Sequence, residues 1–188
     1  MVDKVQSLVC ILAVAALGVG ASGYTMEDLD ISGYAYIGTA TASDSLAAVI
    51  VDYDTNSMGN EYAFGVYFID DEESPVTGLD LLYALMADTS VVLTESGGFV
   101  RQIGYDGHDG TYIWDEVNED WWSYWTRTDA TGWTAPVIGC ADRIVHDGDW
   151  DGWSPAFGWD SYPPNPVPEP ASGLILLAAL ALVRRRFA

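Results

Sequence analysis

Carboxylates at alternate positions form the sharpest chemical pattern in this sequence. Asp147, Asp149 and Asp151 stand at positions 1, 3 and 5 of a segment whose sixth residue is Gly152. Oxygen ligands at this spacing converge on one hard cation, and the glycine permits a sharp turn, as in the first half of an EF-hand-type loop. Position 12 is Gly158, where such a loop has a bidentate Glu. The pattern therefore leaves two interpretations open, a Ca²⁺ site and an acidic turn between strands. No other cofactor is expected.

Aromatic residues are abundant, with eight Trp and eleven Tyr. The densest cluster consists of Trp121, Trp122, Tyr124 and Trp125. Alternate residues of a strand share a face, so both faces of this segment would be aromatic. Either both faces are buried in the core, or one is a platform for a ligand, and aromatic platforms with acidic rims suit sugar rings such as those of exopolysaccharide.

The sequence carries no signature of an enzyme. Its two histidines, His108 and His146, lack the spacing of a hydrolytic zinc site. No nucleophile elbow, phosphate loop or dinucleotide fingerprint occurs. With 28 acidic residues, a pair of carboxylates says nothing about glycoside hydrolysis. Cys140 fits a buried apolar position. We expect no catalytic activity, and a secreted hydrolase has the least support.

Charge is strongly one-sided, at −21 for 28 acidic and 7 basic residues. Between the two ends, the basic residues are Arg101, Arg127 and Arg143. Such a surface repels phosphate backbones, attracts cations and keeps a protein soluble by self-repulsion. Nucleic acid is therefore not expected as a partner.

Residues 1–22 have the pattern of a secretory signal peptide. An apolar stretch runs from about Leu8 to Val19 and is followed by small residues. A retained membrane anchor would need about 20 apolar residues, and this stretch is shorter. We expect signal peptidase to cut after Ala21 or Gly23 and the chain to be exported across the inner membrane.

The C-terminal residues 168–188 combine a Pro-Glu-Pro motif, a short apolar run and an arginine cluster, in the order Pro168, Glu169 and Pro170, then residues 171–183, then Arg184, Arg185 and Arg186. The prolines keep the entry to the tail extended. As a helix the apolar run is roughly 20 Å long, which is short for a membrane span. The arginines hold the end of the tail on the cytoplasmic side.

This three-part tail resembles the PEP-CTERM sorting signal. The resemblance implies that exosortase, a membrane cysteine protease-transpeptidase, recognises the motif and removes the tail. The protein would be anchored transiently in the membrane and then reach the cell surface or the extracellular matrix. An ordinary C-terminal anchor is the alternative.

The β-rich domain is expected over residues 24–154, with a Pro-rich linker over 155–167. Alternating and β-branched patterns predict strands at 34–41, 47–54, 62–69, 91–95, 99–105, 111–116, 121–127, 133–139 and 141–146. One helix is predicted at Thr77–Asp88, with Thr77 as its N-cap. The fold class is α+β, mainly β: a small antiparallel sheet with one helix, either β-grasp-like or, alternatively, a β-sandwich.

The body also resembles the small β-grasp-like domain at the C-terminal side of transcobalamin and in bacterial surface proteins. The resemblance is carried by the helix start at 77–82, the segment 98–103 and the aromatic run 122–125. It implies the fold alone, and no ligand residue is transferred.

Overall fold

The computed structural model describes residues 25–54, 60–112, 120–128, 132–157 and 160–164. The predicted signal peptide, 1–22, and the predicted sorting signal, 168–188, lie outside these ranges. Within the described part of the chain, no helix is long and apolar enough to span a bilayer.

Strands dominate the structure, and the described residues form one α-helix. The helix, α1, comprises Gly78–Asp88, and a short 3-10 turn lies at Met26–Asp28. The strands in chain order are β1 Ile31–Tyr36, β2 Ser45–Asp52, β3 Glu61–Phe68, β4 Val92–Ser96, β5 Phe99–Gly104, β6 Asp120–Thr128, β7 Asp149–Phe157 and β8 Asp160–Ser161. The predicted class, α+β and mainly β, is confirmed.

The main sheet has the order β1-β3-β2-β7-β6, with β8 added beside β7, and β4 and β5 form a separate pair. Neighbours β2–β3 and β6–β7 are antiparallel, whereas β1–β3 and β2–β7 are parallel. The sheet is therefore mixed, and the expectation of an antiparallel sheet was wrong. The parallel pairs arise because distant segments meet: Ala48 of β2 lies beside Trp150 of β7.

Helix α1 begins as the sequence predicts. The Thr77 hydroxyl accepts a hydrogen bond from the Asp80 backbone N–H at 3.3 Å, and the Asp80 carboxylate accepts one from the Thr77 N–H at 2.9 Å. This capping box satisfies N–H groups that the helix itself leaves free. The side chains of Leu81, Leu82 and Leu85 are fully buried, so the apolar stripe of the helix packs into the main core together with residues of the sheet.

The β4–β5 hairpin agrees with the strands predicted at 91–95 and 99–105. Gly97 and Gly98 have φ angles of +62° and +82°, the left-handed conformation that a tight two-residue hairpin turn requires. The hairpin and α1 cover one face of the main sheet. Part of the opposite face is covered by Trp133 and by the segment around Met26.

Strand β7 was not predicted. The sequence pattern predicts an acidic turn or calcium loop over residues 147–152 and a linker over 155–167. The strand instead continues to Phe157, so the first residues of that linker belong to the sheet. The segments 133–139 and 141–146, predicted as strands, contain only isolated bridges at Thr134 and Ile144.

Candidate functional site

A cavity of about 260 Å³ lies between β6, the turn that begins β5 and the loop 135–140. Its aromatic walls are Trp121, Trp122, Tyr124 and Trp153. The Tyr124 and Trp153 rings lie side by side on neighbouring strands, with their centroids 4.8 Å apart. The cavity is a concave surface with aromatic walls, which is the usual form of a small-ligand site.

The predicted aromatic platform is only partly assembled as expected. Trp121, Trp122 and Tyr124 line the cavity, whereas Trp125 points its indole N–H to the Ser154 hydroxyl at 3.1 Å and is not among the lining residues. Trp122 is buried, and its indole N–H donates to the Gly110 carbonyl at 2.9 Å. The cluster is therefore core and cavity wall at once, not an open platform.

Sequence reasoning missed Trp153 as a member of this site. It lies on β7, whose acidic residues have the sequence pattern of a loop, and that pattern offers no strand register to pair Trp153 with Tyr124. The signal that could have found it is the content of aromatic residues in the segment 149–157, Trp150, Trp153 and Phe157, since aromatic residues favour strands.

The predicted calcium loop has a different structure. Asp149 and Asp151 belong to β7, and both bind Arg143: its Nη2 lies 3.0 Å from Asp149 Oδ2, and its Nη1 lies 2.6 Å from Asp151 Oδ1. Asp147 is turned away from this group and accepts the backbone N–H of Leu46 at 2.9 Å. Two of the three predicted ligands therefore lie in a strand and bind a guanidinium, an arrangement that differs from the loop expected for an EF-hand-type site.

Among residues 25–54, 60–112, 120–128, 132–157 and 160–164, no group of three or more His, Cys, Asp or Glu side chains could hold a metal ion.

Asp151 is the buried centre of a polar network behind the cavity wall. Its side chain is fully buried, and besides Arg143 it accepts a 2.7 Å hydrogen bond from the Tyr124 hydroxyl. Burial raises the pKa of Asp151 to about 6, and Arg143 and Tyr124 oppose that rise. Burial and the neighbouring Asp151 carboxylate raise the pKa of Tyr124. The phenol therefore stays protonated and donates a hydrogen bond to Asp151.

Cys140 lines the cavity as a protonated thiol. It is buried, and burial raises its pKa to about 12, with the Asp151 carboxylate as the next cause. Because the thiolate is the reactive form, Cys140 is not activated as a nucleophile at neutral pH. The arrangement of side chains is suited to binding a molecule and offers no activated nucleophile at these positions.

The raised pKa of Asp151 makes a testable contribution to stability. Its ordinary value is 3.8, so between pH 3.8 and about 6 the folded protein keeps a proton that the unfolded chain has released. Rising pH therefore lowers the free energy of unfolding, by about 1.4 kcal/mol from pH 5 to pH 7.5 for this group. Asp151→Asn cannot titrate, so urea unfolding should show the original protein losing that much more stability than the variant. Equal losses would contradict the assignment.

Comparison of the chain with protein families, curated proteins and solved structures found no match.

Proposed function

We propose that this chain is an exported protein that exosortase sorts to the cell surface or the extracellular matrix, where its β-rich domain acts without catalysis. The observation that carries the proposal is the C-terminal order of PEP motif, short apolar run and arginine cluster. The signal-peptide pattern of residues 1–22 supports it, because the two signals act at successive stages of one export route. Signal peptidase, exosortase and the membrane are the partners during processing.

The net charge of the chain and the prolines that precede the motif agree with this export route. A net charge of −21 keeps a protein soluble and apart from other anionic surfaces. The segment between β8, which ends at Ser161, and the motif at Pro168 contains further prolines, which favour an extended approach to the protease. A β-grasp-like arrangement is the finer fold that we propose, supported by the packing of helix α1 on one face of a mixed sheet.

Glu169→Gln should block sorting while leaving export intact. The variant keeps the size of the side chain but removes the charge at the centre of the motif, so exosortase should no longer recognise it. Intact-mass measurement of protein from fractions of the native host should give a species beginning near Ser22 and ending near Pro170 for the original chain. The variant should keep its tail and stay in the inner membrane.

The matched control is Glu72→Gln, an equal change at an exposed position in the domain, which should be processed normally. If Glu169→Gln is also processed normally, the sorting assignment is wrong. A full-length C-terminus on the unmodified protein would indicate a permanent anchor instead.

A second function is favoured by the cavity: a carbohydrate- or small-ligand-binding module. The aromatic walls on β6 and β7 supply apolar area, and the acidic network behind them fixes the Tyr124 ring through its hydroxyl. This function is compatible with surface sorting, because the sorting signal determines the location of the domain and the cavity would determine what the domain binds.

A further inference from the structure

Three residues, Tyr34, Tyr36 and Tyr67, form a tyrosine row on the face of the main sheet opposite helix α1. Tyr34 and Tyr36 belong to β1, and Tyr67 belongs to β3. Along their strands they alternate with Ala35 and Val66, which lie in the main core, so the tyrosine side chains project from the other face. Tyr34 and Tyr36 are 47% and 44% exposed, so a large part of each side chain is accessible to a partner.

The rings of the tyrosine row are held in a fixed arrangement. Tyr67 stacks on both neighbours: its ring centroid lies 5.7 Å from that of Tyr34 and 5.3 Å from that of Tyr36, with interplanar angles of 23° and 16°. Tyr34 also covers Gly65 of β3, since a Cβ at that glycine would lie 2.7 Å from two carbons of the tyrosine ring. Side chains that are already ordered lose little conformational entropy when a ligand binds, so the row is preorganised for contact.

The strands that carry and border the tyrosine row have no charged side chains beside it. Residues 31–36, 45–51 and 62–68 of β1, β2 and β3 contain no acidic or basic residue, although the chain has 28 acidic residues. At a net charge of −21, the protein repels an anionic polymer, and it also repels a second copy of itself. These segments offer no carboxylate that would pair with a cationic group. The charges therefore favour a neutral partner on this face.

The edge of β1 beside the row is protected against strand addition. β1 is the outermost strand at one side of the main sheet. The N–H of Ile37 donates to the Tyr67 carbonyl on β3, so the N–H of Tyr36 points the opposite way, toward the free edge. There it donates to the Asp88 carboxylate at 2.8 Å. A charged side chain at a sheet edge discourages pairing with another strand, so a partner on this face would contact the tyrosine rings and not the backbone.

Tyrosine rings suit a partner that is apolar on one surface and polar at its margin. In the described part of the chain, the hydroxyls of the tyrosine row make no hydrogen bond, whereas that of Tyr83 donates to Glu95 at 3.0 Å. A wholly apolar partner would cover these hydroxyls and leave them unsatisfied, at a cost in free energy. A pyranose ring combines an apolar C–H face with hydroxyl groups at its margin, and it therefore meets both requirements.

We propose that the tyrosine row binds a neutral polysaccharide, whose sugar rings pack on the exposed parts of the tyrosine rings and exchange hydrogen bonds with the three hydroxyls. The spacing of neighbouring ring centroids, 5.3 Å and 5.7 Å, is close to the length of one pyranose unit, so the row accommodates a short stretch of chain instead of a single sugar. This surface is separate from the cavity, which is lined by residues of the main core such as Trp122 and Trp153. The inference therefore goes beyond the binding module and does not depend on it.

The test measures the migration of protein purified from the native host through native gels that contain hydroxyethylcellulose, dextran or galactomannan. At least one of these neutral polymers should retard the protein, and the anionic polymer alginate should not. Tyr36→Ala removes one ring of the row and should raise Kd about tenfold for the polymer that binds. Adding Tyr34→Ala should abolish the retardation. Migration that none of the three neutral polymers slows would overturn the inference.

Two control variants separate this surface from others. Tyr83→Ala removes an exposed tyrosine from α1, and Phe99→Ala removes an exposed ring from the rim of the cavity; both should leave Kd unchanged. Retardation that Phe99→Ala weakens and Tyr36→Ala does not would place the polymer in the cavity, which overturns this inference and supports the binding module. None of these results bears on sorting, which the mass measurement tests separately.

Measurements on the unmodified protein cover the case in which the variants fail to fold. With ¹³C-labelled tyrosine rings, a soluble oligosaccharide of the polymer that binds should shift the ring resonances of Tyr34, Tyr36 and Tyr67 and leave that of Tyr83 in place. Resonances of the row that stay unmoved at saturation would overturn the proposal. Sedimentation equilibrium should show a monomer, and a dimer that the oligosaccharide does not dissociate would show that a second copy covers the row instead.

Discussion

Arg143→Met should lower the free energy of unfolding by about 3–5 kcal/mol, the usual cost of removing one partner of a buried ion pair. Arg143 holds the fully buried Asp151 at 2.6 Å and the nearly buried Asp149 at 3.0 Å. Without the guanidinium, both carboxylates remain in a poorly solvated position with like charges close together. The loss should appear in urea unfolding followed by tryptophan fluorescence at pH 7.

The matched control is Arg101→Met, which removes a guanidinium from an exposed position and should change stability by less than about 0.5 kcal/mol. Adding Asp151→Asn to Arg143→Met should recover part of the loss, because it removes the most deeply buried unpaired charge. A loss below about 1 kcal/mol for Arg143→Met would mean that the buried pair contributes little.

This ion-pair network joins secondary-structure elements that are far apart in the sequence. The backbone carbonyl of Arg143 accepts the N–H of Gly78 at the start of α1, while its side chain binds β7. Asp151 in turn fixes the hydroxyl of Tyr124 on β6. Arg143 therefore contacts the helix through its carbonyl and β7 through its guanidinium, and Asp151 extends the network to Tyr124 in the wall of the cavity, so the stability of the network and the shape of the site are coupled.

The parts of the fold that sequence predicts are those encoded by nearby residues. The capping box joins Thr77 and Asp80, three residues apart, and it placed the start of the helix correctly. The turn at Gly97 and Gly98 required only the left-handed conformation that glycine adopts easily. Both signals act within a single turn of chain and depend little on the rest of the molecule.

The parts that sequence did not predict depend on distant residues. Asp149 and Asp151 are unusual in a central strand, and their presence there depends on Arg143, which sequence alone does not place beside them. The parallel pairing of β2 with β7 likewise joins residues such as Ala48 and Trp150, which no local pattern connects.

For the candidate site, too, the residues that are close together in the sequence were predicted and the distant one was not. Trp121, Trp122 and Tyr124 stood out because they are consecutive or nearly so, and the structure brings all three to the cavity. Trp153 becomes their neighbour only through the β6–β7 register, in which it lies opposite Tyr124. The place of Trp153 in the site therefore follows from strand pairing, not from composition.

Gly78→Ala should lower the free energy of unfolding by about 2–3 kcal/mol, although alanine is the better helix former by up to about 1 kcal/mol. An added Cβ at this first residue of α1 would collide with Asp151 Oδ2 and would lie 2.8 Å from the Tyr124 hydroxyl oxygen. Relieving the collision requires the helix to move away from β7, or the Tyr124–Asp151 hydrogen bond to break. Thermal and urea unfolding of the variant measure the loss.

Gly132→Ala is the control for this change, because a Cβ there meets no described atom within 4 Å, and its effect should stay within about 0.5 kcal/mol. The sign of the Gly78→Ala effect is what decides the argument. Helix propensity alone predicts a gain in stability, whereas close packing of the helix start on the buried carboxylate predicts a loss. A more stable variant would show that α1 can shift away from Asp151 at no cost, and that the network behind the cavity is looser than its distances indicate.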